Sequence, residues 1–504
     1  MSAPQTILDL IASGDDGHPA ILAPGCEPLS FAALRALTRE TVASLNRLAI
    51  GRGDRVAIVL PNGPEMAAAF IAMAAGAVAA PLNPTYRAEE FEFYLSDLRA
   101  KALIVEAGAA GPAVDVARRL GVQIVELRPR ARAVAGAFDL VGANAGNAGR
   151  AGPALADDVA LILHTSGTTS RPKIVPLSQR NVCVSAGNVA TTLALSASDR
   201  DLNVMPLFHI HGLIAGLLAP LSRGGAVFCT PGFNALKFFA WMREARPTWY
   251  TAVPTMHQAI LTRASHNRDV IAANPLRFIR SSSSSMPPQV IAELEATFGA
   301  PLIEAYGMTE AAHQMASNPL VGQRKPGSVG PSAGPEIAVM GERRELLRPG
   351  EIGEIVIRGL NVTAGYENNP NANAEAFCAG WFRTGDQGLL DADGYVRLTG
   401  RLKEIINRGG EKISPREIDE VLMDHPAVRQ VVTFAIPHDK LGEDVAAAVV
   451  LREGATTTEK ALRAFAAERL APFKVPRRVV FLGEIPKGAT GKLQRIGLAQ
   501  KLGL

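Results

Sequence analysis

Short aliphatic runs alternate with helix-patterned stretches through the first third of the chain, and this alternation constrains the fold more than any other feature. Arg55–Leu60 reads as a strand. The Ala-rich run Met66–Leu82 that follows reads as a small-residue helix packed against a sheet. Ala102–Glu106 is another strand, then comes a helix near Gly111–Leu120, and Val122–Glu126 is a third strand. Successive strands joined by helices return parallel to one another, because a parallel pair needs a long crossover. The connector at 130–157 is rich in Ala, Gly and Asn, with little periodicity, and reads as irregular.

The texture changes near residue 335. Glu336–Met340, Gly353–Arg358 and Tyr395–Leu398 read as short strands between Gly, Asn and Asp turns, which makes a small β-rich unit. After Gly400 the pattern is α+β: helix Pro415–Asp424, strands Val428–Ile436 and Val445–Leu451, helix Thr458–Leu470. The expected fold class is α/β. A large N-terminal domain of α/β layers plus the β-rich unit would span 1–400, and a small α+β C-terminal domain would span 401–504.

At 504 residues, 47% hydrophobic and 20% charged, the chain is globular in composition and long enough for large cores. A net charge of +4 is too small and dispersed for a nucleic-acid binder. Residues 401–504 hold 18 Lys/Arg against 13 Asp/Glu, a balance that suits an anionic small molecule. The four cysteines, Cys26, Cys183, Cys229 and Cys378, form no CxxC pair, so neither a zinc site nor a disulfide framework is expected. No basic, then apolar, leader opens the chain, and its most apolar run is short for a membrane span. A cytoplasmic protein with no membrane partner is the expectation.

The densest chemical signal is His164-Thr-Ser-Gly-Thr-Thr-Ser-Arg-Pro-Lys173, directly after the apolar run Val159–Leu163. Hydroxyls, backbone N–H groups and a lysine just after a strand can surround phosphate oxygens. The spacing is not that of a Walker A loop. Four more segments follow: Ala305-Tyr-Gly-Met-Thr-Glu310, Trp381-Phe-Arg-Thr-Gly-Asp386 with its carboxylate in a Gly turn, the basic Gly400–Lys412, and Pro486-Lys-Gly-Ala-Thr-Gly-Lys492.

In this order and spacing the five motifs resemble the adenylate-forming superfamily of acyl-CoA synthetases, peptide-synthetase adenylation domains and firefly-type luciferases. The resemblance runs from about residue 10 to 495. The family loop usually reads SGTTGxPKGV, and here Ser170 and Ile174 replace two glycines. The resemblance implies a two-step reaction: a carboxylate attacks the α-phosphorus of ATP, and a thiol then displaces AMP. It implies that Thr165, Ser166, Gly167, Thr168, Thr169 and Lys173 cradle the β/γ-phosphates. Ser283, Ser284, Glu304, Ala305 and Tyr306 border adenine, with Tyr306 stacked on it. Thr309 contacts the α-phosphate, Glu310 helps to hold Mg²⁺, and Asp386 and Arg401 reach the ribose. Lys492 bridges the carboxylate and the α-phosphate. The small domain is implied to be mobile, with Lys403 at the hinge and Gly409, Gly410 and Lys412 brought to the CoA channel.

The chain ends soon after Lys492, so no fused carrier domain is expected and free coenzyme A is the favoured acceptor. Acyl pockets of the family are lined by the Pro206–Gly212 segment, the serine run and the residues after the Thr-Glu pair. Here those bring His211, Ser282 and His313 to the acid, with His209 as pocket wall. PLFHIHGL, SSSSS and EAYGMTEAAHQMASNPL together resemble oxalate–CoA ligases. Malonate-activating relatives tend to carry Arg where this chain has Ala305. Ligases for another short or aromatic acid, and a luciferase-like oxygenase, remain open alternatives.

Overall fold

The computed structural model describes residues 3–130, 134–143, 146–165, 172–487 and 493–504. Four sheets organise them. One runs in the order Phe138–Val141, Gln123–Pro129, Ala102–Glu106, Arg55–Val59, Val78–Pro81, Val159–Thr165, Lys173–Ser178, parallel inside and antiparallel at both edges. The second runs His313–Ser317, Leu302–Met308, Phe278–Ser281, Trp249–Ala252, Arg200–Asn203, Ala226–Cys229, Pro19–Leu22, Leu29–Ser30, with the same pattern of parallel interior and antiparallel edges.

The helix Pro64–Ala74 is buried at every position from Met66 to Ala74. It lies in a core that joins Ile21 and Val227 of one sheet to Val56, Ile58 and Leu161 of the other. A helix that is apolar on all sides belongs between two layers, and its alanines let both approach closely. The Met66–Leu82 run is therefore not one helix. It turns at Ala75 and Gly76 and enters the sheet as Val78–Pro81. A buried helix and a buried parallel strand both read as continuous apolar runs, so periodicity does not separate them. Part of the supposed connector is also regular: Phe138–Val141 pairs antiparallel with Gln123–Pro129.

The β-rich unit is a five-stranded antiparallel sheet of Glu336–Met340, Gly353–Arg358, Trp381–Leu390 and Phe377–Cys378, with Val396–Arg401 beside Trp381–Leu390. The last sheet holds Glu411–Ile413, Ile406–Arg408, Gly442–Leu451, Val428–His438 and Arg478–Phe481. Helices Pro415–Met423 and Glu459–Ala467 pack on one face of it around Leu422 and Leu462. The Thr458 hydroxyl caps the second helix by accepting from the Ala461 amide at 3.2 Å. The chain thus has a large α/β part with a β-rich unit, followed by a small α+β domain. Among the described residues no helix is long and apolar enough to cross a membrane.

Candidate active site

Three side-chain clusters converge where the motifs meet. In the first, Tyr306 lies near the end of the parallel strand Leu302–Met308 and donates its hydroxyl to Asp386 Oδ2 at 2.5 Å. Asp386 is not in a turn, as the sequence reading had it. It lies within the strand Trp381–Leu390, at a bulge where Glu354 opposes Gln387 but Val356 opposes Arg383. Gly385 has φ +74° there and its amide donates to Glu354 Oε1 at 2.9 Å. A bulge re-aims the side chain that follows it. Asp386 pairs across the strands with Arg401, whose Nε stands 2.9 Å from Oδ1. The Asp386 carboxylate raises the Arg401 guanidinium further above its ordinary value.

The second cluster gathers Lys173, Tyr366 and Glu310. The Tyr366 hydroxyl donates to Glu310 Oε1 at 2.8 Å, and the Lys173 ammonium sits 4.4 Å from the centre of the Tyr366 ring. Burial pushes the Glu310 carboxyl up. The Tyr366 hydroxyl and the positive charges of Arg401 and Lys173 oppose that shift, so the first two clusters share one field. Lys173 opposes Thr165 across an antiparallel strand pair, and Ile174 is buried in the same strand. Ser166, Gly167, Thr168, Thr169, Ser170 and Lys492 lie outside the described residues.

The third cluster holds the acid-site candidates. His211 opens the wide-turned helix His211–Leu218, of which every residue is buried. Its Nδ1 is 3.1 Å from Ser283 Oγ and its Nε2 is 2.7 Å from Thr251 Oγ1. The His211 and His313 rings stack at 4.9 Å with planes 20° apart. His313 starts the strand His313–Ser317. Between and behind the two rings lies Arg280, fully buried. Its Nη1 is 3.3 Å from His211 Nε2, and its Nη2 is 3.1 Å from His313 Nε2 and 3.2 Å from Gln314 Oε1. Ser282 is buried, and among the described residues its hydroxyl has no partner. Ser283 has φ +75°, and Ser284 is exposed.

The remaining candidates fall as follows. Thr309 opens the short turn Thr309–Ala311. Ala305 is buried and pairs with Ser317. Glu304 is buried, and burial pushes its carboxyl up to about 7 against the pull of Arg416 and the Gly327 amide. Gly409 and Gly410, φ +61° and +100°, make the two-residue turn between Ile406–Arg408 and Glu411–Ile413. Lys412 reaches Glu342 at 3.0 Å, and Lys403 is exposed in the turn Leu402–Glu404. Among the described residues no group of three or more His, Cys, Asp or Glu is placed to hold a metal. Glu310 is a lone buried carboxylate, which fits Mg²⁺ bound mainly through phosphate oxygens and water.

The sequence reading missed Arg280 and Tyr366. Arg280 had a signal: a single charge in the short strand Phe278–Ser281, after two apolar residues and directly before the serine run. Tyr366 had none, since an aromatic in a Gly/Asn loop is common.

Residues 11–367 match the AMP-binding enzyme family, and residues 417–492 match the AMP-binding enzyme C-terminal domain. The chain is 46% identical to the oxalate–CoA ligase of Arabidopsis thaliana over 98% of its own length and 97% of that protein. It is 42% identical to the oxalate–CoA ligase of Saccharomyces cerevisiae over 90% and 87%. The crystal structure of ATP-bound MatB from Rhodopseudomonas palustris superposes with a TM-score of 0.88 at 29% identity, covering 97% of each chain. By match over most of its length, the chain belongs to the AMP-binding enzyme family.

Proposed function

We propose that the protein is an AMP-forming acid–CoA ligase and that its acid is oxalate: ATP, oxalate and coenzyme A give oxalyl-CoA, AMP and diphosphate through an acyl-adenylate. The similarity to ligases of that acid supports the class. The observation that carries the acid is the stacked His211–His313 pair on the buried Arg280. Fatty and aromatic acids would press an apolar chain or ring against these polar groups and offer them no hydrogen bond. A short acid with a second carboxylate satisfies them.

The physical difficulty of the first step is to bring an anion against a polyanion. Thr165 and Lys173, with the motif residues 166–169, would offset the β/γ-phosphate charge. Tyr306 would line the adenine, and Asp386 would accept from the ribose hydroxyls beside Arg401. Thr309 would orient the α-phosphate, and Lys492 would bridge it to the attacking carboxylate. Glu310 would hold Mg²⁺, which when bound neutralises phosphate charge. The distal carboxylate would meet His211, His313 and Ser282. We place the boundary between the large and small domains at Gly400/Arg401, with Lys403 as hinge and Gly409, Gly410 and Lys412 facing coenzyme A in the second step. The thiols of Cys26, Cys183, Cys229 and Cys378 are unpaired, which supports a reducing, cytoplasmic setting.

Diphosphate release with oxalate, malonate, acetate, butyrate and a cinnamate tests the assignment. Oxalate should have the highest kcat/KM, and turnover should depend on coenzyme A rather than oxygen. Preference for butyrate or cinnamate would refute the acid and leave the ligase class. Oxygen dependence would refute the class.

A further inference from the structure

We infer that Arg280 is a positioning residue that sets the proton pattern of the acid pocket: by donating to Nε2 of both His211 and His313, it holds each imidazole neutral with its proton on Nδ1. The inference rests on reading this pocket as the oxalate site. A guanidinium carries only donors. With Nη1 at 3.3 Å from His211 Nε2 and Nη2 at 3.1 Å from His313 Nε2, a proton on either Nε2 would set hydrogen against hydrogen. The lone pairs therefore face Arg280, and the protons sit on Nδ1. That of His211 points to Ser283 Oγ at 3.1 Å. In this pattern the Thr251 hydroxyl, which accepts from Arg280 Nη1 at 3.4 Å, donates to His211 Nε2 at 2.7 Å.

Thr251 and Gln314 hold the guanidinium in this arrangement. Gln314 Oε1 accepts from Nη2, and the Gln314 amide is fixed in that sense because its Nε2 donates to the Ala333 carbonyl at 3.0 Å and to Thr192 Oγ1 at 3.2 Å. The acidic group facing Arg280 is Asp201, from the strand Arg200–Asn203 two places away in the sheet, and among the described residues neither of its buried oxygens has a hydrogen-bond partner. Burial drives Asp201 well up, toward its neutral form, while Arg280 is drawn down only to about 9 and stays charged at neutral pH. Two stacked imidazoliums beside that charge would put three cations in a dry site. The pocket then draws its positive charge from the buried guanidinium and not from an imidazolium. Its preference for a dianion then does not titrate near neutrality, as it would if histidine supplied the charge.

Two measurements test this. The first is the ratio of kcat/KM for oxalate to that for acetate between pH 6 and 8.5, where both acids are ionised and ionisations common to both substrates cancel. The wild-type ratio should be flat. Arg280→Met should lower it by about 10²-fold at pH 8.5, and at least tenfold should return toward pH 6 as imidazolium replaces the lost cation. Arg280→Lys should lose less and stay flat. Equal loss for both acids at every pH, or a wild-type ratio that titrates near pH 6.5, would overturn the inference. The second measurement needs no variant of Arg280: imidazole ¹⁵N shifts in histidine-labelled wild type at pH 7, assigned through His211→Gln and His313→Gln. Both residues should be neutral and Nδ1-protonated. Nε2-protonated or doubly protonated rings would overturn it. If the shifts are as expected but oxalate is not a substrate, the acid assignment fails and the role of Arg280 stands.

Discussion

His313 holds φ +101°, a backbone conformation that costs a non-glycine residue on the order of 1–3 kcal/mol. Gly307 makes it possible, since a Cβ at 307 would stand 1.9 Å from the His313 carbonyl oxygen. The strands Leu302–Met308 and His313–Ser317 slip register between Tyr306 and Gly307. That slip turns the ring of His313 onto His211 and Arg280 rather than along the strand. Strain kept at a polar, buried position is what a ligand site needs. His313→Ala should raise KM for oxalate by about 10²-fold or more, since it leaves a buried charge short of a partner, with little change in KM for ATP. His313→Phe should shift preference toward a monocarboxylate. An unchanged KM for oxalate in His313→Ala would remove this residue from the acid site.

At the scale of elements, much was legible. Glu336–Met340, Gly353–Arg358 and Ala102–Glu106 are strands with the bounds read from sequence. Each is a short, largely apolar run with Gly at or within two residues of an end. The ten-residue strand Trp381–Leu390 was not legible, because Gly385 and Asp386 interrupt its pattern at the bulge that serves the site. Local rules fail there because tertiary geometry needs them to. The same holds for Arg280, whose meaning lies in contacts 33 and 69 residues away in sequence. Glu304, in the strand Leu302–Met308, supplies a stability test. Its folded value near 7 exceeds the ordinary 4.5, so the native state binds more protons than the unfolded chain between those values. Its contribution is full below about pH 4.5 and is lost as pH rises to about 7. The melting-temperature advantage of Glu304→Gln over wild type should therefore grow from pH 4.5 to 7 and then level off. A difference that is constant across that range would contradict the burial account.

At the scale of the molecule, the turn Leu402–Glu404 joins the β-rich sheet to the small domain, and Arg495 ties it there through Glu404 at 3.0 Å and Asp419 at 2.7 Å. If Lys403 is the hinge of a two-conformation cycle, Lys403→Pro should damage thioester formation more than adenylation, because proline fixes φ near −65°. Lys492→Ala should do the reverse, lowering adenylation by about 10²–10³-fold while supplied acyl-adenylate is still converted. Equal losses in both half-reactions would argue against the cycle. The central claim is that an oxalate oxygen attacks the α-phosphorus of ATP. Turnover of ¹⁸O-labelled oxalate with ATP and coenzyme A, followed by mass spectrometry of the nucleotide, tests it most directly. The account predicts one ¹⁸O in each AMP formed, unlabelled diphosphate, and oxalyl-CoA that keeps the remaining label. Unlabelled AMP, or ADP with label in inorganic phosphate, would contradict it.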